Sequence, residues 1–167
     1  MKKLLLLGLV GLFISCADQQ ECETASNGFI EGTGQSVTLG SETTVDVFKA
    51  IDKAWIERDY TALKNLISDN GNFTHDDNSV STNADEFIAH IEAGYQESVE
   101  KNEEWGWTTN FAFSVKPTKS ETGDFANENG EWVCARFTGS NGDVYEEWYQ
   151  IVDGKLVMWS SAKRENK

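Results

Sequence analysis

From Thr43 to Tyr60, apolar residues recur every three or four positions, at Val45, Phe48, Ile51 and Trp55. That spacing gathers them on one side of a helix. Thr43 or Thr44 is placed to cap its start, and Asp46 suits the positive end of its dipole. A shorter helical stretch, DYTALKNLISDNG, carries Leu63, Leu66 and Ile67 and stops at Asn70-Gly71. NFTHDDNSVSTN reads as a short strand and a turn. Asn83 followed by Glu86 resembles a capping box. It opens a long third helix whose apolar face is Phe87, Ile91, Tyr95 and Val99. Beyond that helix the period drops to two, and Trp105, Trp107, Phe111, Phe113 and Val115 fall on one strand face. Asn129-Gly130, Asn141-Gly142 and Asp153-Gly154 then follow at intervals of twelve residues. Asx-Gly pairs tolerate positive φ and mark hairpins. The pattern predicts an α+β domain in which an antiparallel meander follows three helices.

The start of the chain breaks this pattern. MKKLLLLGLVGLFISC has a basic pair, an apolar run from Leu4 to Ile14, and then Ser15-Cys16. The run is short for a membrane span and reads as a secretory signal. Ser15-Cys16 closing it resembles the lipobox of bacterial lipoproteins. The resemblance implies lipidation of Cys16, residues 1–15 as signal peptide and a cell-envelope location, with Phe13 standing where Leu is more usual. The polar, Gly-rich residues 16–40 read as a flexible tether, which leaves 41–167 as the folded domain. Cys22 and Cys134 remain. Either they form a disulfide or Cys134 is a small buried hydrophobe. No CxxC or Cys/His cluster suggests zinc.

Charge narrows the partners. The formal net charge is −14, and removing Lys2 and Lys3 with the leader makes it more negative still. Such a surface repels phosphate backbones, so nucleic acid is not an expected partner. Membrane contact is expected through the N-terminal lipid alone. No metal or cofactor is expected. DDNSVS lacks EF-hand ligands, and no phosphate-cradling loop or Gly-x-Ser-x-Gly nucleophile occurs.

The order of elements resembles the NTF2-like superfamily, in particular its SnoaL-like branch, over about Thr43 to Arg164. The residues that carry this are AIDKAWIERDYTALKNLISDNGNFTHDD, NADEFIAHIE and YQIVDGKLVMWSS. The resemblance implies a cone, with three N-terminal helices packed on a curved antiparallel sheet around a cavity. It also implies pairing as a homodimer through the outer sheet face. The family holds isomerases, dehydratases, cyclases and binding modules, so the fold leaves function open.

Within that frame His75 follows Phe73 by two positions and shares its face, with Asp77 continuing it and Asp76 pointing away. A His75-Asp77 pair would exchange protons near neutral pH, with Tyr60 or Trp105 donating to a developing oxyanion. The alternative is that HDDNS is already a charged turn. The usual pattern follows His-Asp with Pro or Gly, whereas Asp77-Asn78 stands here. His90 reaches the cavity from the third helix or stays half in water. Trp55, Trp105, Trp107, Trp132 and Trp159 are candidate walls. Arg136 either pairs with Glu146 or Glu147 or grips an acidic ligand. The expected ligand is small and partly apolar, held by a binding module. An acid-base enzyme and a dimerising interaction module are the alternatives.

Overall fold

The computed structural model describes residues 25–118 and 130–167. Two short strands come first, β1 (Gly28–Ile30) and β2 (Gln35–Leu39), followed by helices α1 (Glu42–Ile56) and α2 (Tyr60–Leu66). Strands β3 (Ile67–Thr74) and β4 (Val80–Ser81) precede helix α3 (Ala84–Glu100). Four long strands close the chain: β5 (Trp107–Pro117), β6 (Glu131–Gly139), β7 (Val144–Val152) and β8 (Lys155–Arg164). All eight form one sheet in the order β1-β2-β5-β6-β7-β8-β3-β4. Pairing is antiparallel except between β3 and β8. The mixed α+β architecture agrees with the sequence pattern, but the helices are not the first elements. Two strands precede α1, and two more separate α2 from α3.

The tether assignment needs correction for the same reason. Residues 28–39 form a hairpin whose second strand pairs Val37–Leu39 with Val115–Pro117 of β5. Their polar, Gly-rich composition hid a half-exposed edge, where only one face needs apolar side chains. Residues 1–24, with the leader, Cys16 and Cys22, lie outside the described residues.

Helix α1 is capped by Ser41 rather than Thr43 or Thr44. Its side chain accepts from the Thr44 amide at 3.2 Å. Glu131 of β6 completes this end, its Oε2 accepting from Ser41 N at 2.6 Å and from Thr44 Oγ1 at 2.7 Å. A carboxylate at the positive end of a helix is stabilising. Phe48 and Ile51 then pack α1 on the sheet, Phe48 meeting Tyr149 edge-on at 5.0 Å. Burial of a ring that size contributes about 2–3 kcal/mol. Helix α2 ends at Leu66, and Ile67 is already the buried first residue of β3.

Helix α3 begins as expected, with Asn83 Oδ1 accepting from Glu86 N at 3.0 Å. The reciprocal half is displaced by one residue, since the Glu86 carboxylate accepts from Thr82 N at 2.8 Å. Asn83→Ala is expected to cost about 1 kcal/mol in urea denaturation. A loss under a few tenths would show that Thr82-Glu86 caps the helix alone. Phe87 and Ile91 are buried as the spacing predicts, but Val99 is 53% exposed.

Strand β5 carries the largest departure. Its pairing with β6 slips between Thr109 and Phe111, leaving Asn110 as the extra residue. A bulge of this kind reverses which side chains face inward. Trp107 faces the helices, while Phe111 and Phe113 emerge on the opposite face at 44% and 45% exposure. Turns follow the Asx-Gly signals at Asn141-Gly142 and Asp153-Gly154, while Asn129 lies outside the described residues. Asp153 and Gly154 both have positive φ, at 50° and 76°, as a two-residue type I′ turn requires.

Candidate functional site

A cavity of about 240 Å³ lies between the inner sheet face and helices α1 and α3. Helix α1 contributes Asp52 and Trp55, α3 contributes His90 and Ile91, and the loop between α3 and β5 contributes Glu103, Glu104 and Trp105. Trp107, Phe137, Tyr145, Glu147, Tyr149, Trp159 and Ser161 close it from strands β5 to β8. His75 and Asp76 enter from the turn after β3.

The tryptophans are arranged as a wall. Trp107 stands edge-on to both Trp55, at 5.9 Å, and Trp105, at 5.6 Å, while Trp159 lies 5.6 Å from Trp55. Three of the indole N–H groups are engaged by the protein. Trp105 donates to Ile56 O at 3.2 Å, Trp107 to Asp52 Oδ1 at 2.7 Å, and Trp159 to Glu147 Oε2 at 3.0 Å. Trp105 is therefore occupied as a donor, contrary to the oxyanion role considered for it. With those N–H groups engaged, the rings line the cavity with aromatic carbon.

The β3 strand stops at Thr74, and His75 already belongs to the turn. His75 N donates to Ser79 O and Asn78 N to His75 O, both at 2.9 Å. Asn78 has φ of 66°, a conformation that Asn tolerates. The imidazole still turns inward, as its relation to Phe73 implies, and is 3% exposed. It stacks on His90 with centroids 3.5 Å apart, and Nε2 lies 2.8 Å from Ser81 Oγ. Burial, reinforced by His90, lowers the His75 pKa to about 4 against the opposing pull of Asp77 and Asp76. His75 is thus neutral at physiological pH.

Asp77 does not continue the His75 face. Its carboxylate accepts from Ser79 N at 2.8 Å in the exposed turn, and Asp76 lines the cavity instead. The expected His75-Asp77 dyad is therefore replaced by a His75-His90 stack with Ser81 as hydrogen-bond partner. Tyr60 is also not among the cavity-lining residues. Its hydroxyl donates to Glu92, which also receives Arg58 Nη2 at 2.9 Å. The Arg58 guanidinium lies over the Tyr95 ring at 3.4 Å, so this cluster clamps α2 to α3.

Trp132 and Arg136 share a strand face, as their spacing implies, but it is the outer one. Val133, Ala135 and Phe137 take the inner positions. Arg136 approaches Glu146, its cross-strand neighbour, at 3.9 Å. Cys134 is half-buried on this outer face beside Trp148. Of the sequence candidates, His75, His90, Trp55, Trp105, Trp107 and Trp159 line the cavity, whereas Asp77, Tyr60, Trp132 and Arg136 do not.

Glu147, considered from the sequence only as a partner for Arg136, instead belongs to the cavity. It is 7% exposed and lines the cavity. Tyr149 OH donates to its Oε2 together with Trp159, and Ser161 Oγ donates to Oε1 at 3.1 Å. Burial pushes its pKa up to about 7, against the pull of those three donors. A signal existed. In VYEEWYQ, strict alternation puts Glu147 between Tyr145 and Tyr149 on one face. Among the described residues, no cluster of three or more His, Cys, Asp or Glu side chains could hold a metal.

No family model and no curated protein matches the sequence. Solved structures do match. A SnoaL-like protein of unknown function from Burkholderia thailandensis aligns at TM-score 0.56 and 9% identity, over 76% of this chain and 99% of that one. A "putative ketosteroid isomerase" from Kribbella flavida aligns at 0.52 and 10% identity, over 77% and 83%. An NTF2-like protein of unknown function from Burkholderia xenovorans aligns at 0.50 and 12% identity, over 75% and 86%. At these identities the likeness is one of fold.

Proposed function

From the NTF2-like, SnoaL-like fold as premise, we propose that this protein is a small-molecule-binding module that holds one partly apolar ligand in its cone. The observation that carries this reading is the wall of Trp55, Trp105, Trp107 and Trp159 around a cavity of about 240 Å³. Pockets that bind small molecules combine apolar walls with a few placed polar groups. Glu147, Asp52 and the His75-His90 stack are those groups here.

Native mass spectrometry of the purified full chain tests this directly. A species heavier than the processed chain, reverting on denaturation, is the expected result, and Trp107→Ala is expected to lose it. A chain at its apo mass, whose tryptophan fluorescence also ignores a panel of small aromatic and alicyclic compounds, would overturn the reading.

Proton transfer is the second reading, and Glu147 favours it. A buried carboxyl titrating near neutrality can serve as acid or base. His75 does not fill that role in the form expected, because its recorded side-chain partner is Ser81. On this reading Glu147→Gln abolishes turnover of a bound ligand while leaving its binding in place.

We further propose that Cys16 is lipidated and holds the domain at a bacterial membrane, facing the periplasm or the cell exterior. The leader sequence supports this. The first strand begins twelve residues after Cys16, so the fold would stand at most about 40 Å from the anchor. Pairing of two copies through the outer sheet face is the corresponding proposal for assembly, supported by the exposed Phe111, Phe113 and Trp148.

A further inference from the structure

Resting on the pocket reading above, we propose that the ligand is a small organic cation, a protonated or quaternary amine seated against the indole faces with its charge towards Glu147. The charged lining has one sign. Asp52, Asp76, Glu103, Glu104 and Glu147 face the cavity, and among the described residues no Lys or Arg lines it. Lys163 acts on the lining residue Tyr145, but its Nζ is paired with Asp143 Oδ2 at 3.0 Å. An anionic ligand would meet these carboxylates with no cation to receive it.

The walls point the same way. With the N–H groups of Trp105, Trp107 and Trp159 bonded to protein acceptors, the aromatic carbon of these lining rings is what remains for a guest. A cation over the face of such a ring is attracted by the ring quadrupole, most strongly for Trp. Glu147 supplies the second, independent observation. It is buried at the cavity wall, and its three recorded donors are neutral groups on Tyr149, Trp159 and Ser161. No ion pair involves it among the described residues. A buried carboxylate without a positive partner is costly, and a cationic guest would provide that partner. His75 does not compete, since its burial keeps it uncharged. His90 faces the same space from α3, and Asp76 from the turn after β3.

Tryptophan quenching of the full chain with three phenyl probes, two of them of one shape, decides the matter. Phenyltrimethylammonium carries the charge, tert-butylbenzene is its neutral carbon isostere, and benzoate carries the opposite charge. Near pH 8, above the Glu147 titration at about 7, the cation is expected to bind at least about tenfold more tightly than the isostere. Benzoate is expected not to bind. Glu147→Gln should weaken the cation by about tenfold and leave tert-butylbenzene unchanged. Glu104→Gln, in the exposed loop, is the second variant should the first fail to fold, and a smaller loss confined to the cation is expected of it. Equal binding of the cation and its isostere, or preference for benzoate, overturns the cation while leaving the pocket reading intact. Failure of all three probes to bind overturns both.

Discussion

Phe73→Ala is expected to lower the unfolding free energy by about 3–5 kcal/mol. Phe73 is fully buried, and its ring meets Phe87 of α3 at 5.1 Å. The ring also lies over Gly71, where an added Cβ would fall 2.1 Å from Phe73 Cζ. One side chain therefore joins helix α3 to the β3 edge of the sheet and fills the space that a glycine leaves open. The ring lies between α3 and the sheet in a close-packed interior, so its loss leaves a cavity as well as removing buried area. Equilibrium urea denaturation reads the change directly. A loss below about 1 kcal/mol would mean that β3 and α3 are held by other contacts.

The second large effect depends on pH. Burial raises Glu147 in the folded state from 4.5 to about 7. The unfolded chain gives up this proton first, so stability is full below about pH 4.5 and falls as pH rises through about 7. The difference is on the order of 3 kcal/mol. His75 acts with the opposite sense. Its value falls from 6.5 to about 4, so its contribution is present above about pH 6.5 and is lost as pH falls through about 4. Between about pH 4.5 and 6.5 the two slopes offset each other, which leaves a broad maximum of stability at mildly acidic pH and makes the Glu147 effect visible mainly in the variant. Glu147→Gln removes the alkaline decline and is expected to melt above the parent chain at about pH 8. A variant that melts lower there, or keeps the parent's alkaline slope, would show that the Glu147 carboxylate is well solvated or well paired in the fold. The strongly acidic surface also relaxes on the acid side, so the difference between variant and parent carries the result.

Much of this fold was legible because its signals are local. The three-and-four spacing of α1, the Asn83 start of α3 and the Asx-Gly turns each act within a few residues of themselves. The β1–β2 hairpin was not legible, since its stability comes from β5, nearly eighty residues away in register. The Asn110 bulge was invisible for a related reason. Alternation continues on both sides of it, and only the β6 partner reveals the slip. That single residue explains why Phe111 and Phe113 were grouped with Trp107. The candidate site divided along the same line. Indoles on α1, β5 and β8 could be placed by period, and His75 by its distance from Phe73. Whether Trp132 and Arg136 faced inward depended on which side of β6 the helices cover. Asp77 was lost to a turn that its own side chain stabilises. Glu147 was overlooked as a cavity residue because a charged residue in a strand normally marks the solvent side, and here the strand buries one.

The Asn110 bulge has a consequence for how the protein can diversify. Strand β5 shows the cavity Trp107 before the bulge and shows the reverse face Phe111 and Phe113 after it. Changes up to Thr109 therefore retune what the hollow accepts, while changes at Phe111 and Phe113 retune what docks against the back of the molecule. The kink makes two traits on one ribbon heritable apart, and drawing Asn110 into the regular ladder would fuse them by turning the rear rings into the hollow.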